Sequence, residues 1–132
     1  MPEVAAHSPD PFVLSATPGT ELAELDETLL AAFRAIRDAL TEGRTVVVVV
    51  RDSDLLGHGS PADAALAGGL LGLTRALATE GVRQGWRVNA LGVTGDVDTA
   101  ELDAWITHIS ESTAINGELI RLGNLHLGKV PV

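Results

Sequence analysis

Cysteine is missing from the 132-residue sequence, which excludes a disulfide framework, a thiolate zinc site and a cysteine nucleophile. Basic residues are few: 9 Lys plus Arg stand against 18 Asp plus Glu, a formal charge of −9. A surface of that sign repels phosphate backbones, which disfavours nucleic acid and anionic membranes as partners. No long apolar run occurs. The longest aliphatic run, Val46 to Val50, falls far short of the ~20 residues that span a bilayer. The N-terminal MPEVAAHSPDP has neither a basic n-region nor an apolar h-region, so no signal peptide is expected. Internal repeats and low-complexity segments are absent too. What is present is 45% hydrophobic against 20% charged residues, enough to pack a core and too much for global disorder. The length fits one domain. A cytoplasmic, acidic, single-domain protein is the expectation.

Met1 to Gly19 carries four prolines and reads as an irregular arm, with Phe12 to Leu14 as a possible short edge strand. From Thr20 to Glu42, Leu22, Leu25, Leu29, Phe33, Ile36 and Leu40 recur at helical steps. Acids gather in the first turns and Arg34 and Arg37 come later, as the helix dipole favours; Gly43 is a plausible stop. Val46 to Val50 predicts a strand covered on both faces, as in a parallel sheet flanked by helices. The next helix opens at Ser60-Pro61-Ala62-Asp63, with Ser60 as N-cap, Pro61 at the first helical position and Asp63 completing a capping-box-like arrangement. It should reach about Val82. Its glycines 68, 69 and 72 each cost ~1 kcal/mol relative to alanine, so close approach of another backbone is expected there. Arg87 to Val93 reads as a strand, Thr99 to Ser112 as a helix, and Glu118 to Leu122 as a strand after the Asn116-Gly117 turn. Helices alternating with strands over 20–132 argue an α/β fold with a parallel sheet.

Asp52, Ser53, Asp54 and His58 share one polar loop and invite a triad or metal reading. Triads are defined by spatial roles, though, and the remaining histidines His7, His108 and His126 lie far off in sequence. A solvated loop is the plainer expectation. Because the loop follows a strand, at the carboxyl end where open α/β sheets bind ligands, Asp52, Ser53 and His58 are kept as candidates for small-molecule binding. Trp105 is expected in the core or an interface, and Trp86 is expected to cover the helix–strand junction.

Asp63 to Leu91, DAALAGGLLGLTRALATEGVRQGWRVNAL, resembles the short-chain dehydrogenase/reductase family, in particular its 3-oxoacyl-carrier-protein reductase branch. Leu73 to Ala78 and Arg87 to Ala90 carry the likeness most closely. Thr94-Gly95-Asp96-Val97-Asp98-Thr99 and Ile115 to Leu122 continue it, over roughly Thr20 to Gly128. The resemblance implies a three-layer, Rossmann-like parallel sheet of about four strands with flanking helices. It also implies that the family's N-terminal dinucleotide-binding half is lacking, so that the chain is truncated.

The departures are specific. The family's catalytic tyrosine falls on Asp63 and its lysine on Ala67; the chain has no tyrosine, and its only lysine is Lys129. Ser53 lies near the family's active-site serine. Gly57-His58-Gly59-Ser60-Pro61-Ala62 mimics a dinucleotide fingerprint, but Arg51 to Leu56 separate it from the strand and Pro61 removes an amide. Neither a catalytic, a cofactor-binding nor a metal residue is therefore assigned, and no cofactor is expected. The helices Thr20 to Glu42 and Ser60 to Val82 correspond to the family's subunit-interface pair. Candidate interface residues are Leu29, Phe33, Ile36, Ala65, Gly68, Gly69, Gly72 and Leu73. The resulting expectation is an inactive structural or regulatory subunit, homodimeric or paired with a full-length reductase. Two alternatives stand beside it: an NAD(P)-dependent reductase component completed in trans, and a small-molecule-binding module.

Overall fold

The computed structural model describes residues 10–125; His7, His126, Lys129 and the first nine residues of the proline-rich arm lie outside that range. Four strands, β1 (Phe12–Ser15), β2 (Val46–Arg51), β3 (Val88–Val93) and β4 (Leu119–Leu122), form one sheet in the order β1-β2-β3-β4. Every pairing is parallel. Helices α1 (Leu25–Thr41), α3 (Pro61–Glu80) and α4 (Thr99–Glu111) cover it, and a single-turn α2 (Asp52–Leu55) follows β2 directly. The expected three-layer α/β fold is what the chain adopts.

The valine run of β2 shows why. Val46, Val48 and Val50 face α1 and α3 in the larger core cluster, while Val47 joins Leu91, Ile106, Ile109 and Leu122 beneath α4. Alternate side chains point to opposite faces, so a strand buried on both sides must be apolar throughout.

Local chemistry sets the ends of the elements. The α1 helix ends in a Schellman turn: Gly43, at φ +83°, donates to Leu40 O, and Arg44 donates to Ala39 O. Its start lies later than the hydrophobic spacing suggests, because Leu22–Glu24 forms a 3-10 turn first. At α3, Ser60 Oγ accepts from the Asp63 amide at 3.1 Å, and at α4 Asp98 accepts from Glu101 at 2.8 Å. Trp86 packs over Gly81 at the end of α3, as expected, leaving no room there for a Cβ.

The edge strand expected over Phe12 to Leu14 forms, as Phe12–Ser15 paired in parallel with β2. Two local environments are more specific than expected. Trp105 is 37% exposed and stands edge-on to His108, while Ile106 and Ile109 enter the core. The helical period carries Trp105 past the sheet-facing side. The mid-helix glycines divide: Gly69 lies under the Leu29 side chain, 2.7 Å from where its Cβ would be, whereas Gly68 and Gly72 face open space. At Gly69 the close neighbour is a side chain and not a backbone.

Candidate functional site

A cleft of about 380 Å³ opens at the carboxyl ends of β1, β2 and β3. Ser15 and Ala16 form one wall and Val93, Thr94 and Gly95 another, with Arg51, Asp52, Ser53 and His58 between them. Asp52, Ser53 and His58, which the sequence placed in one polar loop, thus share a single cleft. The stretch is not merely a solvated loop, because α2 turns the chain immediately after β2 and buries Asp52 and Asp54. Within it the His58 amide donates to Ser53 O at 2.9 Å. Ser53 and His58 themselves are exposed.

Three carboxylates near this cleft are engaged. Asp52, 2% exposed, accepts two hydrogen bonds of 2.7 Å from the Arg121 guanidinium on β4. Asp54 accepts from Arg51 at 2.8 and 3.0 Å. Asp63 accepts from the amides of Thr20 at 2.9 Å and Gly19 at 3.2 Å, with Arg51 Nη2 at 3.5 Å. Bidentate pairing of this kind is strong and directional. The Asp54 bond raises the Arg51 pKa and the Asp52 bond raises that of Arg121. The Thr20 amide and then the Gly19 amide hold the Asp63 carboxyl down at about 2.

Asp63 therefore does more than the expected cap. Its amide completes the Ser60 half of the capping box, but its carboxylate reaches across to the 19–20 turn and fixes the segment after β1 to the start of α3. Ala67, on the next turn of α3, is buried in the core.

The α3 N-terminus is where a dinucleotide pyrophosphate would sit if Gly57 to Ala62 were a working fingerprint. The residues do not fit that group. A Cβ on Gly59 would collide with the Asp54 carboxylate, so an acid already fills the glycine's clearance. Asp63 adds a second negative charge, Pro61 offers no amide, and α2 separates the fingerprint from β2.

On β3, Asn89 is almost fully buried; its amide nitrogen donates to Ile115 O at 3.4 Å and its oxygen accepts from Glu118 at 3.0 Å. Asn116 returns the bridge, accepting from Val88 and donating to Trp86 O, both at 3.0 Å. The Arg-Val-Asn-Ala segment thus aligns β4 with β3. Beyond β3, Asp96 accepts from the Thr94 hydroxyl and the Asn124 amide, and in that order these lower its pKa.

Of the candidate interface residues, Ile36 is fully buried and belongs to the chain's own core. It lies on the sheet-facing side of α1, where no partner reaches. Leu29, Phe33 and Leu73 are half-buried against that core, and Gly69 is covered by Leu29. Ala65, Gly68 and Gly72 lie exposed along α3. Sequence reasoning missed Ser15, Thr94 and Arg121. Arg121 alone carried a signal, as a charge between apolar neighbours in a strand. Among the described residues, no group of three or more His, Asp or Glu side chains is placed to hold a metal ion.

No protein-family model matches the chain, and no curated protein matches it in sequence. Solved structures do. The 3-hydroxyacyl-CoA dehydrogenase type-2 of Mycobacterium avium aligns with a TM-score of 0.65 at 15% identity, covering 91% of this chain and 69% of that one. Levodione reductase aligns at 0.63 and 19% identity, covering 86% and 64%. The NADH-dependent enoyl-[acyl-carrier-protein] reductase of Aquifex aeolicus VF5 aligns at 0.65 and 18% identity, covering 89% and 62%. These are one dehydrogenase and two reductases of the short-chain dehydrogenase/reductase family, and the chain shares their Rossmann-like fold. It spans about three-fifths to two-thirds of their length. Among the described residues, no helix is long and apolar enough to cross a membrane.

Proposed function

We propose that this chain is a catalytically inactive, short-chain dehydrogenase/reductase-like protein that serves as a structural or regulatory subunit. It acts in the cytoplasm, as a homodimer or paired with a full-length active reductase. The observation that carries the reading is the fate of Asp63. The resemblance puts it where the family's proton-donating tyrosine stands, yet its carboxylate is held at a pKa of about 2 by the Thr20 and Gly19 amides. It is ionised at neutral pH and has no proton to give. Ala67, at the lysine position, is buried and has no group to orient a cofactor or lower a neighbour's pKa. The exposed small residues Ala65, Gly68 and Gly72 support close helix–helix contact with a partner.

Sedimentation equilibrium and a hydride-transfer assay on the purified chain test both halves. A dimer without NAD(P)H oxidation is expected. A strict monomer at micromolar concentration overturns the homodimer form, and hydride transfer by the chain alone overturns inactivity.

A second reading, a reductase component completed in trans, draws on the fraction of the reductases' length that this chain spans. It requires the hydride-transfer rate of a recovered complex to depend on this chain. Asp63→Ala and Ser53→Ala leaving that rate unchanged would remove it.

A further inference from the structure

We propose that Asn116-Gly117 is a site of spontaneous deamidation that the folded chain keeps closed, so that release of β4 from β3 lets it react irreversibly. Asparagine followed by glycine is especially prone to this reaction, because glycine has no side chain to hinder attack by its own backbone nitrogen. In that step the Gly117 nitrogen gives its proton to solvent and bonds to Asn116 Cγ. The Cγ–Nδ2 bond breaks, and the amino group leaves as ammonia with a proton from water. A water molecule then opens the cyclic imide at either carbonyl, giving aspartate or isoaspartate.

The fold needs both residues of the pair. Gly117 has φ +72°, and Ala78 Cβ stands 3.0 Å from where a Cβ on Gly117 would lie, so any side chain there is strained and crowded. Asn116 accepts from the Val88 amide through Oδ1 and donates to Trp86 O through Nδ2, both at 3.0 Å. That bridge requires an acceptor and a donor on one short side chain, which an amide supplies and a carboxylate does not.

The same bonds hold the reaction off. The attacking nitrogen of Gly117 donates to Val88 O at 2.8 Å, and the leaving Nδ2 is tied to Trp86 O. Just before the pair, Ile115 O accepts from Arg87 Nη1 at 3.1 Å and from Asn89 Nδ2 at 3.4 Å. Every one of these partners lies between Trp86 and Asn89, where the chain enters β3, so the clamp is lost together when β4 leaves. β4 is four residues long and is the outer strand of the sheet among the described residues, a place where local opening comes well before global unfolding. Conversion prevents the return. Aspartate sets an oxygen opposite Trp86 O, two acceptors with no donor between them. Isoaspartate adds a backbone carbon that carries the Gly117 nitrogen away from Val88 O.

Incubation of the full chain in mildly alkaline buffer, with and without urea, tests this, with tandem mass spectrometry following the amide-to-acid mass shift at 116. The shift should accumulate at least about tenfold faster in urea than in the folded chain. Arg87→Ala removes one donor to Ile115 O and breaks no ion pair among the described residues. It should keep a cooperative melt and deamidate faster than the parent chain without urea. Asn116→Asp should speed amide exchange in β4 and leave α1 unchanged. Equal rates with and without urea, or no shift in either, overturn the proposal. So does an Arg87→Ala chain that folds and deamidates no faster, or unchanged β4 exchange in Asn116→Asp.

Discussion

The Thr20 amide donates to Asp63 Oδ1 at 2.9 Å across 43 positions of sequence, and this bond joins the loop after β1 to the first turn of α3. An acid at the position implied for a proton donor has become a structural anchor, with Arg51 drawing Asp54 into the same cluster.

Acid should expose that anchor. The Asp63 carboxyl titrates near 2 in the folded chain and at about 4 when unfolded. The unfolded chain therefore binds more protons between those values, and stability falls as pH drops from about 4 towards 2. Asp96, also lowered, contributes in the same direction. Asp63→Asn should flatten this part of the profile, measured as melting temperature against pH. An unaltered profile in the variant would remove Asp63 from the account.

Arg121→Met should be severe. It would leave the Asp52 carboxylate, 2% exposed, without its bidentate guanidinium, a loss of about 3–5 kcal/mol on the scale of broken buried pairs. Adding Asp52→Leu should restore part of it, because the second change removes the stranded charge. Urea unfolding of the single and double variants measures both effects.

Asn89→Ala should cost about 1–3 kcal/mol, since it leaves Ile115 O and the Glu118 amide without the buried partner that now serves both. Amide hydrogen exchange in β4 should quicken more than in β1. Equal quickening in both strands would mean that Asn89 does not hold β4 specifically.

The architecture was legible because its signals are local. The five valines, the helical spacing through α1, Gly43 and Ser60 each act within a few residues, and the structure uses each as read. What was not legible depends on distance along the chain. Asp63 reads as a cap from its neighbours, and nothing nearby names Gly19 and Thr20 as its partners. Ile36 fits an exposed helix face or a buried one equally well until the sheet is placed beneath α1. The single turn of α2 is too short to show a period, so Asp52 looked solvated although Arg121, 69 positions on, covers it.

The α3 glycines separate monomer stability from association. Gly68→Ala and Gly72→Ala meet nothing within 4 Å, so each should stabilise the isolated chain by up to ~1 kcal/mol through helix propensity. If α3 packs closely on a partner, the same changes should weaken association, read as a higher dimer dissociation constant. Gly69→Ala should gain less stability, because Leu29 must move.

Native mass spectrometry of the protein recovered gently from its own host is the most direct test of the subunit role. The account predicts either a homodimer or a complex with a longer reductase-like chain, and the mass tells which. A monomer with no added polypeptide at micromolar concentration would contradict it.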